Sequence, residues 1–169
     1  MIEAALLVIF PTLVAFAGAS DLFTMTIPNR VSLLLVAGFC LLAPAAGLGL
    51  VDIGFHLAAA GAVFLLCLAF FAFGWMGGGD AKIATAVALW FGFTQQTLLF
   101  LAFAGIYGGL LTIALLMFRQ VPVLPLPANS RTEWLLRLHD DRSGIPYGIT
   151  IAIAALQVYP LTMWFKLIG

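Results

Sequence analysis

The chain has 169 residues, 64% of them hydrophobic and only 8% charged, with a formal net charge of zero. A soluble domain carries about 25% charged residues, so this chain cannot cover a water-facing surface and reads as an integral membrane protein. With no basic excess to neutralise phosphates, nucleic acid is excluded as a partner.

Apolar runs, measured against the roughly 20 residues that cross a bilayer, predict an all-α polytopic protein with six transmembrane helices. They cover 2–19, 31–50, 54–74, 81–93, 97–118 and 145–166, and form a single transmembrane domain over 1–169. The first run ends in Ala17-Gly18-Ala19, which resembles a signal cleavage site. It carries Glu3 and no Lys or Arg, however, and is long for a signal, so it reads as a span. Pro28 and Asn29 shape the turn into the second helix. The third, "FLLCLAFFAF", offers lipid-facing and helix-packing surface, with His56 near its outer interface. Cys40 and Cys67 form no CxxC pair and no Cys/His tetrad, and read as small buried hydrophobes.

The stretch 81–118 holds one charge, Lys82. A single helix of that length would reach about 57 Å, nearly twice the hydrocarbon core, so it must fold back, best at "FGFTQQT" (91–97). Gly105, Gly108 and Gly109 in the fifth helix suggest close helix contact. The loop 119–144 begins proline-rich and continues as "RTEWLLRLHDDR", a short helix with Ser130 and Glu133 as its capping box. Trp134, Leu135 and Leu138 share one face of it, as in a helix lying in the membrane interface.

Six spans divide the basic residues unequally. Arg30, Lys82, Arg119, Arg131, Arg137 and Arg142 fall on one side and only Lys166 on the other. The positive-inside rule makes the first side cytoplasmic and both termini external.

Asp21 and Asp80 stand apart from the other acids because each adjoins a long apolar run. An ionisable group at membrane depth is a functional-site hypothesis by default. Two spans separate them, so both reach the cytoplasmic side at similar depth. A helix starting at Ala81 and ending near Phe93 would fall short of the core, so the fourth span is expected to begin near Trp75, with "GGGD" unwound inside the membrane. Such backbone is tolerated only where protein or a wet cavity surrounds it. Two juxtaposed carboxyls cannot easily both ionise, so one stays protonated while the other acts as base. Such a pair can activate water against a peptide carbonyl and protonate the leaving amine without metal or cofactor. Residues alone leave an alternative open: a small six-span transporter or channel using Asp21 and Asp80 as cation or proton sites.

"SDLFTMTIPNR" (20–30), "GGGDAK" (77–82) and "IPYGITIAIAAL" (145–156) together resemble the type IV prepilin peptidases, membrane aspartic endopeptidases with a GxGD motif. The resemblance implies that Asp21 and Asp80 are the catalytic aspartates and that Gly77 and Gly79 are the motif glycines. It implies cleavage of a basic prepilin leader, ahead of the pilin's hydrophobic helix, at the cytoplasmic face of the bacterial inner membrane. The prepilin, the lipid bilayer and pilus assembly machinery are then the partners. Larger members carry a cytoplasmic insertion with paired cysteines and also N-methylate the pilin. Only residues 21–30 separate the first two spans here, without cysteine, so the chain resembles the short forms serving tight-adherence (Flp-type) pili. Lys82 either lines the cavity beside Asp80 or anchors at the interface. Pro146, Tyr147 and Gly148 are expected to break the last helix near the site and help hold substrate.

Overall fold

The computed structural model describes residues 2–121 and 132–167. Among them the chain is helical throughout: α1 (Ile2–Thr24), α2 (Asn29–Ala45), α3 (Leu50–Ala72), α4 (Gly78–Phe91), α5 (Gln95–Arg119), α6 (Glu133–His139), α7 (Tyr147–Val158) and α8 (Met163–Lys166), with a 3-10 turn at Tyr159–Leu161. Three of these, α1, α3 and α5, are long and apolar enough to cross a membrane, while α2 and the segment Tyr147–Leu161 are shorter apolar helices. Their outward faces carry Leu33, Leu57, Leu65, Leu98 and Leu110, each more than half exposed. Water would oppose such a surface and lipid accepts it.

Helix α4 is the centre of the bundle. Nearly every residue from Asp80 to Phe91 is buried, and α2, α3, α5 and α7 all pack against it. Small residues at Ala81, Ala84, Ala86 and Ala88 let those neighbours approach. At its far end Trp90, Phe10, Phe39, Tyr159 and Trp164 form an aromatic core. The polar tips in this core are satisfied by backbone: Trp90 Nε1 donates to the Leu35 carbonyl at 2.9 Å and the Tyr159 hydroxyl to the Leu6 carbonyl at 2.9 Å. An unmade hydrogen bond here would cost the full desolvation penalty, about 1–3 kcal/mol.

Several expectations need correction. Helix α4 does not begin near Trp75. The chain turns through 73–77, with Gly74 at φ +73°, and Gly77 is an extended N-cap, so Gly78, Gly79 and Asp80 form an ordinary first helical turn. A helix enclosed by protein need not match the bilayer thickness, which removes the reason for lengthening it. The expected final helix is interrupted at Pro160, which cannot continue the hydrogen-bond ladder; α7 gives way to the 3-10 turn and α8 follows. His56 is buried inside the bundle, with Nδ1 2.7 Å from the Leu89 carbonyl oxygen. Cys40 is exposed, while Cys67 is buried. Of the three glycines in α5, only Gly108 lies in close contact, against the Tyr147 ring; Gly105 and Gly109 face open space.

The turn expected at 91–97 is present. Gly92 at φ +70° ends α4, and α5 restarts at Gln95 with Thr97 Oγ1 donating to the Gly92 carbonyl at 2.6 Å. Ser130 lies outside the described residues; Thr132 precedes α6, whose Trp134 packs edge-on against Phe23 of α1.

Candidate active site

Asp21 sits on the last turn of α1 and is 6% exposed. Hydroxyls close this helix end. Thr24 Oγ1 donates to the Ser20 carbonyl at 2.7 Å, and Ser20 Oγ donates to the Thr26 carbonyl at 2.8 Å. Met25, at φ +55°, then reverses the chain toward Pro28, the N-cap of α2. The reversal carries Ile27 inward.

Ile27 is the residue that sequence reasoning missed. A Cβ added at Gly79 would lie 3.3 Å from the Cβ of Ile27, and one added at Gly148 would lie 2.7 Å from its Cδ1. Two glycines, on α4 and α7, therefore close on one side chain. Asp80 follows Gly79 directly, and Asp21 touches Gly148: the backbone N–H of Gly148 donates to Asp21 Oδ2 at 2.7 Å. The sequence signal for Ile27 was its place before Pro28 and Asn29 in the run between α1 and α2.

Asp80, 7% exposed, occupies the third position of α4 and turns its carboxyl back toward Gly77. An acid in the first helical turn meets the positive end of the helix dipole. Asp21 meets the same field at the N-terminus of α7. Each carboxyl thus stands at a helix N-terminus, Asp80 at that of α4 and Asp21 at that of α7. Among the described residues neither aspartate has an ion-pair partner.

Of the other residues singled out, Gly77, Gly79 and Gly148 lie against the aspartates or Ile27. Pro146 is fully buried and caps α7. Tyr147 turns the other way, its hydroxyl 3.1 Å from Thr112 Oγ1 on α5. Lys82 does not reach Asp80; its Nζ donates to Asn29 Oδ1 at 2.9 Å, linking α4 to α2. An apolar groove of about 570 Å³ opens between α3, α4, α5 and α7, with Met76, Ala84, Gly105, Gly109, Tyr147 and Thr150 in its walls.

The sequence profile described as the type IV leader peptidase family matches residues 8–113, a segment that includes both aspartates and the GGGD turn. The chain belongs to the type IV leader peptidase family. Nothing among curated proteins or solved structures matches it. Membership of this family makes the chain a protease, a hydrolase with membrane-type apolar helices, and the family implies a prepilin substrate.

Proposed function

We propose that this leader peptidase is an aspartic endopeptidase that removes the leader of Flp-like type IV prepilins at the cytoplasmic face of the bacterial inner membrane, with Asp21 and Asp80 as its catalytic dyad. A six-span arrangement places both termini outside, with α4 as a short fourth span and the α7–α8 segment as the sixth. The whole chain then forms one peptidase domain.

One observation carries the reading. Two buried carboxyls, from helices separated by two others along the chain, each stand at a helix N-terminus, Asp80 on the first turn of α4 and Asp21 against the Gly148 N–H of α7, and Gly79 and Gly148 both close on Ile27. In the proposed step, one carboxylate takes a proton from water as the water oxygen attacks the scissile carbonyl carbon. The other, protonated, donates to the carbonyl oxygen. Collapse of the tetrahedral species breaks the C–N bond, and a carboxyl returns a proton to the leaving amine. Gly77, Gly79 and Gly148 shape the site by letting the two aspartates and Ile27 pack closely against the starts of α4 and α7. The apolar groove receives the hydrophobic segment beyond the cleaved bond. Pro28 and Asn29 hold the turn that presents Ile27, and Pro146 fixes the start of α7.

The test is incubation of the purified chain with a candidate prepilin, comparing wild type, Asp21→Asn and Asp80→Asn. Each substitution should abolish cleavage while helicity stays unchanged, because both roles need an ionisable carboxyl. Near-wild-type turnover by either variant would sink the mechanism. EDTA should leave turnover intact, and activity lost to EDTA and restored by zinc would point to a metalloprotease.

A further inference from the structure

A second groove, of about 400 Å³, lies between α2, α3 and α4; Asn29, Ser32, Lys82 and Thr85 contribute its polar groups, and Leu33, Val36 and Phe64 its apolar wall. Three observations at the polar groups point to an anion as the ligand this groove suits. Lys82 donates to the neutral Asn29 amide, and among the described residues it forms no ion pair. The Ser32 hydroxyl is buried, in a residue 9% exposed, and has no hydrogen-bond partner among the described residues. A helical Ser or Thr usually returns its hydroxyl to the carbonyl four residues back, as Thr85 in the same groove does to Ala81 at 2.7 Å. Helix α2 is capped by Pro28, which offers no side-chain acceptor to the positive end of its dipole.

The wall decides what kind of anion fits. Leu33 is 66% exposed and Phe64 44%, and Val36 is exposed between them. Free phosphate would use the donors and leave this wall bare. We propose that the groove holds an anionic phospholipid. Its phosphate pairs with the Lys82 ammonium and accepts from the Ser32 hydroxyl, and an acyl chain lies along Leu33, Val36 and Phe64. Basic pockets between transmembrane helices hold lipid headgroups by this chemistry. Asn29 is two residues from Ile27 and Lys82 two from Asp80, so the bound lipid braces both the turn and the first turn of α4. The site is independent of the proposed cleavage chemistry.

The test uses the full chain purified in a neutral detergent. Its melting temperature is titrated with phosphatidylglycerol, phosphatidylcholine or inorganic phosphate, and retained lipid is counted by native mass spectrometry. Phosphatidylglycerol should stabilise wild type at tenfold or more lower concentration than phosphatidylcholine, with one molecule retained and no effect of phosphate. Lys82→Gln should erase this preference and Ser32→Ala should weaken it severalfold. Lys82→Arg and the remote Arg142→Gln should keep it. Equal effects of the two lipids on wild type, stabilisation by phosphate alone, a preference surviving in Lys82→Gln, or one lost equally in Arg142→Gln would each overturn the proposal.

Discussion

The backbone N–H of Gly148 donates to Asp21 Oδ2 at 2.7 Å, joining the start of α7 to the end of α1 across 127 residues. The contact requires glycine for reasons of space. An added Cβ would stand 2.7 Å from Ile27 Cδ1, 2.8 Å from Asp21 Oδ2 and 2.9 Å from Asp21 Cβ. The Ile27 methyl can swing aside, but the Asp21 Cβ is held by its helix.

Gly148→Ala is therefore expected to displace Asp21 and lower prepilin cleavage tenfold or more, about 1.4 kcal/mol in the barrier. Gly144→Ala is the control, since a Cβ there meets nothing within 4 Å. Turnover of both variants, measured against wild type under identical conditions, checks the expectation. Equal rates for all three would mean that Asp21 tolerates displacement.

Much of this site was legible in the sequence, and the rest was not for a physical reason. Asp21 and Asp80 stood out because a carboxyl in an apolar run is costly wherever it lies. The turn at 91–97 followed from bilayer thickness alone. Ile27, the burial of His56 and the open face at Gly105 and Gly109 depend instead on which helix faces meet. In water an apolar stripe marks the buried face. In lipid both faces are apolar, so Leu33 (66% exposed) and Leu35 (fully buried) look alike in sequence. The start of α4 was misjudged because bilayer thickness was applied to a helix that protein encloses.

Gly92 tests the opposite end of the bundle. It sits at φ +70°, and an added Cβ would lie 3.0 Å from His56 Cε1 and Nε2. The left-handed conformation alone costs an L-residue about 1–2 kcal/mol, and the His56 ring is tied to the Leu89 carbonyl. Gly92→Ala should lower the melting temperature in detergent by several degrees, while Gly61→Ala, with open space around it, should not. An unchanged melting temperature in Gly92→Ala would mean that the α4–α5 turn relaxes freely.

The proposed orientation is open to cysteine labelling in a Cys40→Ala/Cys67→Ala background. Thr24 ends α1 and Ser143 precedes α7, whereas the exposed Thr94 precedes α5 at the opposite end. Cysteines at 24 and 143 should be protected from impermeant thiol reagents outside intact cells, and one at 94 should be labelled. Outside labelling at 24 or 143 would reverse the topology and move the dyad to the other face.

Gly79 and Gly78 separate close packing from helix propensity. Both lie in the first turn of α4, where a regular helix predicts that Ala is neutral or stabilising, by at most about 1 kcal/mol. At Gly78 an added Cβ would meet the Phe71 ring at 3.6 Å, an ordinary contact. At Gly79 it would meet Ile27 Cβ at 3.3 Å. That atom is fixed by backbone and cannot rotate away, so either the turn holding Ile27 or the start of α4 must give. Since Asp80 follows Gly79 directly, the displacement reaches the dyad. Gly79→Ala should lose tenfold or more in cleavage, about 1.4 kcal/mol, and Gly78→Ala should stay near wild type. Truncating the neighbour offers a further check: Ile27→Ala keeps its Cβ, so it should restore little activity to Gly79→Ala. Full activity with a raised melting temperature in Gly79→Ala would show that Ile27 yields without cost, and the contact would lose its role in holding the site.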